Sequence, residues 1–410
     1  MYYQNKDKVQ GLKILYFHQH FSTPKGSTGT RSYEFAKKLI KRGHSVIMVC
    51  GNYWIANSGL TGVYKNSHRT GIVDGIKIIE LDLSYSNVNS FLSRAYTFLK
   101  YSWQGIKIAL VEDYDIIFST STPLTAGIPG IIATKLKRKP FVFEVRDLWP
   151  ELPKAMGVVK NPIVLKLMDW LETISYKSAT ACIGLSPGIV KGIKKKEPNK
   201  HVNMIPNGCD LNLVKDYSLS KSKNKFIAVF TGIHGLANGL DAVLDAAKVL
   251  IENNIVSIEI QFIGDGMLKP QLISRAQTEG LVNCKFLKPM PKSELFTYLK
   301  NNASVGLMIL DNIPAFYYGT SPNKFFDYIS LGLPVLNNYP GWLAELIIKN
   351  NCGIVVPPND PVAFSDSLIK LKENPKMTVE MGKNSITLAK DSFNRDKLSS
   401  QFVNFLESCI

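Results

Sequence analysis

Apolar positions along the chain fall into short continuous runs that alternate with segments of helical period. Leu12–Phe17 is a run of strand length. A loop with Gly26 and Gly29 follows, and Tyr33, Ala36, Leu39 and Ile40 then recur at the spacing of one helix face. Gly43 stops that helix, and Ser45–Cys50 reads as the next strand. Gly75–Leu81, Asp115–Ser119, Phe141–Val145 and Ala181–Leu185 are further predicted strands, with helical stretches between most of them. A parallel pair needs a long crossover, so strands separated by helices predict βαβ units and a doubly wound α/β sheet.

The alternation pauses at Pro206-Asn207-Gly208, and the Ser- and Lys-rich stretch from Lys215 to Lys225 is read as a domain boundary. It restarts with strand Phe226–Thr231, helix Leu240–Glu252, strand Ile258–Ile263 and helix Leu268–Thr278. Strand Lys285–Leu287, helix Ser293–Lys300 and strand Ser304–Ile309 follow. A helix from Pro322, strands Pro334–Asn337 and Gly353–Val356, and a last helix at Asn394–Leu406 complete the series. The expected division is 1–205 and 206–391, with a C-terminal helix at about 392–410 packing back on the first domain. Two such units face each other across a cleft, where open parallel sheets bind ligands at their carboxyl ends.

Composition narrows the classes of function. Of 410 residues, 45% are hydrophobic and 20% charged, which excludes a disordered chain. A net charge of +16 points to an anionic partner: nucleic acid, the inner membrane surface or a phosphorylated small molecule. The basic residues are dispersed and no recognition motif occurs, which argues against nucleic acid. Six cysteines are scattered without a Cys-x-x-Cys pair, as in a cytoplasmic protein with reduced thiols. Met1 to Lys8 is polar and lacks a signal-peptide core, and no apolar run is long enough to span a bilayer. The expectation is a soluble protein or one lying on a membrane surface. Phe91 through Leu110 is apolar, aromatic and basic together, so it either sits in a membrane interface or packs on its own sheet with a solvated basic side. Lys194-Lys195-Lys196 would add attraction to anionic lipid.

The stretch from Tyr318 to Val335 carries the densest chemistry. Ser321 is a good helix N-cap, Pro322 suits the first turn and Asn323 follows. A helix N-terminus offers free N–H groups and a positive dipole end, both favourable to phosphate, and Lys324 adds a full charge there. Asp327 shares the helix face of Lys324 and could accept the two hydroxyl hydrogen bonds of a ribose diol. Equally, Ser-Pro is a common helix start, and Lys324 and Asp327 could form a solvated salt bridge.

This segment resembles the signature of glycosyltransferase family 4. The resemblance runs most closely to the subgroup that includes O-antigen and capsule N-acetylfucosamine transferases, with its Pro-x-Lys-x-x-(Glu/Asp)-Tyr…Gly-x-Pro-Val pattern. It extends over nearly the whole chain: Gly29-Thr30-Arg31 with Glu34, Lys41-Arg42-Gly43-His44, Arg146-Asp147-Leu148-Trp149-Pro150-Glu151, Ile205-Pro206-Asn207-Gly208-Cys209-Asp210, Gly232 with Gly235 and Gly239, and Gly264-Asp265-Gly266. The resemblance implies a GT-B fold of two Rossmann-like domains. It implies retaining transfer of a hexosyl group, N-acetylfucosaminyl in this subgroup, from a UDP-sugar. The acceptor would be a polyprenyl-diphosphate-linked sugar at the inner face of the cell membrane, with no metal or cofactor. On the matching positions, Gly232, Gly264, Ser321, Pro322, Asn323, Lys324 and Asp327 would hold the donor. Gly29, Thr30, Arg31, Arg146 and Trp149 would hold the acceptor.

Two departures from the pattern matter. The family's first acidic residue, eight positions before Asp327, is Gly319 here, so donor-sugar selection needs another source. Gly232-Ile-His-Gly-Leu-Ala-Asn-Gly239 lacks the Arg and Lys that usually hold the diphosphate, leaving Lys324 and its helix N-terminus as the expected clamp. His234 either contributes to it or is a solvated loop histidine.

Asp147 follows the strand Phe141–Val145, at a sheet edge where a cleft-facing group belongs. It is the candidate catalytic residue, either accepting the acceptor hydroxyl's proton or orienting the acceptor. The competing picture is a surface cluster of Arg146, Asp147 and Glu151. His18-Gln19-His20 has no third ligand for a metal, and neither a Gly-x-Gly-x-x-Gly, a Walker loop nor a Gly-x-Ser-x-Gly elbow is present. A UDP-sugar epimerase of the same fold and a non-catalytic sugar-nucleotide or membrane-binding protein remain the alternatives.

Overall fold

The computed structural model describes residues 11–86, 89–214 and 225–410. The polar leader Met1 to Lys8 and residues 215–224 of the boundary stretch lie outside them. The first sheet has eight strands: β1 (Lys13–Phe17), β2 (Ser45–Tyr53), β3 (His68–Val73), β4 (Ile76–Tyr85), β5 (Ile116–Thr120), β6 (Phe141–Val145), β7 (Ala181–Gly184) and β8 (His201–Met204). Their order is β3-β4-β2-β1-β5-β6-β7-β8, and only β3 runs antiparallel to its neighbour. The second sheet has six: β9 (Phe226–Thr231), β10 (Ile258–Ile263), β11 (Cys284–Leu287), β12 (Val305–Met308), β13 (Val335–Asn337) and β14 (Gly353–Val355). It is parallel throughout, in the order β11-β10-β9-β12-β13-β14. Two Rossmann-like domains result.

Both sheets carry helices on both faces, which is why their central strands read as unbroken apolar runs. In β1, Ile14, Leu15, Tyr16 and Phe17 are wholly buried, feeding one core on each face. Two strands were not anticipated from the sequence. β3 alternates between exposed and half-buried positions at the sheet edge, and its hairpin turns at Asp74 and Gly75, both at positive φ. β8, at the opposite edge, is His201-Val-Asn-Met204, without an apolar run.

The chain passes between the domains twice at one place. Cys209 N–H donates to Phe393 O (2.7 Å), and Arg395 N–H donates to Cys209 O (3.1 Å). The last helix, Arg395–Glu407, then lies against the first, Arg31–Lys41, with Phe402 stacked on Phe35 at 4.2 Å between centroids. The hinge therefore consists of two adjacent strands of backbone, one leaving the first domain and one returning to it.

Candidate active site

The site is built from loops at the carboxyl ends of β1, β5 and β6 on one side and of β9 and β10 on the other, with the Asn323–Ser330 helix between them. At Gly29 a Cβ would stand 2.7 Å from Asn323 Nδ2, so glycine is what allows the β1 loop to meet the first residue of that helix. The hinge joins at the same point: Asn207 N–H donates to Ser321 Oγ (3.1 Å), and its Nδ2 to Ser321 O (2.6 Å). This corrects the expected N-cap. The Ser321 hydroxyl serves the hinge, Pro322 takes the cap position, and no side chain caps the helix. Phe325 N–H donates to Pro322 O (3.3 Å), and the N–H groups of Asn323 and Lys324 are left for another acceptor.

Lys324 extends from that turn beneath the second domain's first loop. Its Nζ donates to Asn238 Oδ1 (2.6 Å) and lies 4.0 Å above the Phe230 ring. A Cβ on Gly232 would be 3.7 Å from Lys324 Cε. Burial without a facing carboxylate pulls the ammonium down to about 7. Gly264 (φ +147°) closes against the same loop, where a Cβ would fall 1.9 Å from Gly232 O. Lys269 Nζ ties these turns together by donating to Gly264 O (2.7 Å) and Leu287 O (2.8 Å), a role the sequence pattern did not signal.

Asp327 does not pair with Lys324. Its carboxylate faces Lys292 Nζ at 3.0 Å, in a buried cluster where Lys292 and Arg395 also grip Asp210. Burial raises the Asp327 carboxyl despite Lys292. Burial opposes ionisation of Asp210 as well, but Arg395 and Lys292 outweigh it and hold that carboxyl at about 2. The solvated Lys–Asp bridge is therefore absent among the described residues. The two side chains of one helix serve different places, the loop cavity and the hinge.

His234 is not a solvated loop residue. It is fully buried, ringed by Phe230, Phe262 and Phe286 at 5.9–6.4 Å. Neither ring nitrogen has a partner among the described residues, and burial lowers its pKa to about 4. It is a neutral packing group under the glycine loops.

In the first domain, Arg31 departs from its expected place. It is 1% exposed, and its donors are taken by Glu144 Oε2 (2.9 and 2.8 Å), Ile205 O (2.7 Å) and Pro206 O. It pins β6 to the hinge, with these donors engaged inside the protein. Thr30 is likewise buried. Arg146 is half-buried with Nη1 3.4 Å from His18 Nε2. Asp147 is half-buried, and burial raises its carboxyl, with Arg146 and a Thr122 hydrogen bond pulling the other way. That environment makes it a better proton acceptor than a solvated aspartate and argues against an ordinary surface cluster. Trp149 N–H donates to Glu172 Oε1 (2.7 Å), while its buried indole N–H has no partner among the described residues.

The sequence considered His18 and His20 only as metal ligands, and Gln19 not at all. His18 and Gln19 are nearly fully buried directly after β1, and His18 Nδ1 and both ends of the Gln19 amide are unpaired among the described residues. Burial, then Arg146, pushes both imidazoles down, His20 to about 3, so they are neutral hydrogen-bonding groups. Polar side chains immediately after a buried strand were the available signal.

A family model described as Glycosyl transferase 4-like domain matches residues 26–208, and one described as Glycosyl transferases group 1 matches residues 215–387. The D-rhamnosyltransferase WbpZ of Pseudomonas aeruginosa is 26% identical over 38% of this chain and 39% of its own length. The O-antigen chain mannosyltransferase C of Escherichia coli is 24% identical over 60% of this chain and 66% of its own. The chain thus spans less than two thirds of the length of either relative. Among solved structures, HepE of Anabaena in complex with UDP and glucose superposes with a TM-score of 0.66 at 16% identity, covering 97% of this chain and 100% of that one. Glycosyl transferase domain models thus match the two halves of the chain in order, and its two parallel-sheet domains meeting at a hinge have the GT-B fold.

Proposed function

We propose that this chain transfers a hexosyl group, of the N-acetylfucosaminyl kind, from a UDP-sugar to a polyprenyl-diphosphate-linked sugar. The transfer is retaining and metal-independent, and it serves O-antigen or capsule polysaccharide synthesis at the inner face of the cell membrane. The observation that carries this reading is Lys324 beside an uncapped helix N-terminus and the close-packed Gly232 and Gly264 turns. A departing nucleoside diphosphate needs such donors where its negative charge grows. The HepE complex with UDP supports the nucleotide, and the O-antigen relative supports the pathway class. Asp147, with its raised carboxyl, takes the acceptor proton, and Arg146, Trp149 and Gly29 hold the acceptor against the helix start. Asp327 keeps the ribose role only through the part of its carboxylate that Lys292 does not engage.

Calorimetry with UDP, GDP and ADP tests this. UDP is expected to bind selectively, and Lys324→Ala to slow donor turnover at least about tenfold, roughly 1.4 kcal/mol of transition-state energy. Unchanged kinetics would reject the clamp, and a GDP or ADP preference would reject the donor.

The lowered Lys324 pKa adds a pH signature. The free amine is protonated only below about pH 7, whereas the diphosphate-bound amine is held charged. Binding at pH 8 is therefore expected to take up about one proton, and at pH 6 about none, so UDP affinity falls as pH rises above neutrality. Calorimetry in buffers of differing ionisation enthalpy measures the uptake. Its persistence in Lys324→Ala would assign the proton elsewhere.

A further inference from the structure

We propose that the second domain holds a neutral saccharide in a cavity of its own, apart from the donor site. The cavity measures about 400 Å³, within the roughly 300–1,000 Å³ of small-molecule sites. It is bounded by the loop after β9 and by the segments that leave β12, β13 and β14 at their carboxyl ends. Lys324, Asp327 and Asp147 do not line it. It nevertheless shares an element with the donor site. In the single turn Leu236–Asn238, Leu236 lines the cavity, while Asn238 Oδ1 accepts from Lys324 Nζ (2.6 Å).

Asn338, in the cavity wall, is the residue that points to a ligand. Its side chain belongs to a residue only 4% exposed. Oδ1 accepts from Leu310 N–H (3.1 Å), which fixes the amide and leaves Nδ2 without an acceptor among the described residues. A nearly buried donor held in this way calls for an oxygen. Asp311 and Asp360 present the opposite chemistry. Oδ1 of each accepts a backbone N–H, from Asn312 (2.9 Å) and Ala363 (2.8 Å), and Oδ2 of each has no partner among the described residues. The occupant must therefore accept from Asn338 and donate to carboxylates. Hydroxyl groups do both, whereas an ammonium only donates and a metal ion takes nothing from an amide N–H.

Charge then removes the anions. The described lining residues include four aspartates and no lysine, arginine or histidine, in a chain of net charge +16. Arg275 pairs with two of them, Asp241 (2.7 Å) and Asp245, while Asp311 and Asp360 have no ion pair among the described residues. A phosphorylated sugar or a nucleotide is repelled there. Leu240 and Phe364, both buried, and Pro361 supply apolar surface on which the C–H face of a sugar ring packs. A neutral saccharide meets all of these conditions. It has two sources, a free sugar or the glycan under extension, and neither depends on the UDP-sugar donor proposed above.

Saturation-transfer NMR on the full chain tests the site. The probes are methyl glycosides of glucose, galactose, mannose, rhamnose and N-acetylglucosamine, with maltotriose and chitotriose beside them and glucose 6-phosphate as the anionic control. At least one neutral glycoside is expected to bind in the millimolar range, with or without saturating UDP. Asn338→Asp keeps the oxygen that Leu310 N–H needs and removes the amide donor, so it should weaken that binding at least about tenfold and leave UDP affinity unchanged. Ala242→Leu adds bulk at the cavity wall from a half-buried position and should give the same loss, with thermal midpoints checking that both variants fold. Tighter binding of a trisaccharide than of its monosaccharide makes the glycan the source, and equal binding makes it the free sugar. If no neutral glycoside binds, the cavity holds solvent only and the site is overturned. Binding that UDP displaces, or that both variants leave intact, puts the saccharide in the cleft and overturns it too, as does a preference for glucose 6-phosphate. Saccharide binding lost in Asn338→Asp, by a chain that binds no UDP, would sink the proposed reaction and leave this site standing.

Discussion

Asp147→Asn is expected to lower turnover on a lipid-linked acceptor by about 10²–10⁴-fold, the range of a positioned general base. The amide keeps the size and the hydrogen-bonding oxygen of the carboxylate but cannot take a proton. It therefore separates the two roles open to this residue. If Asp147 only orients the acceptor, Asn retains most of the rate; if it accepts the hydroxyl proton, the rate collapses while UDP affinity holds. Retention of more than about a tenth of the rate would exclude proton transfer to this side chain. The pH profile gives a second reading. Burial raises the carboxyl while Arg146 and Thr122 act to lower it, so the acid limb of the natural enzyme should lie above the ordinary aspartate range. The base is active when ionised, so activity falls as pH drops through that pKa. Loss of this limb in Asp147→Asn assigns it.

How far the chain could be read from its sequence depends on where each residue's decisive neighbours lie. Phe141–Val145, Phe226–Thr231 and Ile258–Ile263 are strands to the residue, because strands covered on both faces are dense in β-branched and aromatic residues, with Glu144, Glu259 and Gln261 as the polar exceptions. β3 and β8 sit at edges, where half-exposed polar positions satisfy the fold and leave no period to detect. In the site, the Pro322–Lys324 stretch was legible as a helix start with a lysine in its first turn because those signals are local. Ser321 was misread because its hydroxyl partner, Asn207, is 114 positions away. His234 is not the solvated loop residue its sequence position suggested because three phenylalanines from separate strands, β9, β10 and β11, close around it. Helical spacing correctly put Lys324 and Asp327 on one helix, but the hinge cation Lys292 decides what the aspartate meets.

Arg31 is the sharpest such case, and Arg31→Met should cost about 3–5 kcal/mol of stability, the usual penalty for stranding one member of a buried ion pair. Both partners are essentially solvent-free, at 1% and 0% side-chain exposure. With arginine present, Glu144 accepts two guanidinium hydrogen bonds and one from Thr120 Oγ1 (2.8 Å). With methionine only the threonine remains, and the carboxylate is buried without a counter-charge. The hinge loses as well, because Ile205 and Pro206 carbonyls give up their shared donor. Lysine cannot restore the arrangement, since a single ammonium does not reproduce a planar fork that meets a carboxylate and two carbonyls together. Urea denaturation of the natural chain, Arg31→Met and Arg31→Met/Glu144→Gln measures the effect. The double variant should recover part of the loss, since it removes the stranded charge while leaving the hinge carbonyls unpaired. An acceptor-binding Arg31 would behave in the opposite way, leaving the denaturation midpoint unmoved and raising only the acceptor KM. A shift under about 1 kcal/mol in Arg31→Met would therefore return this residue to the cleft.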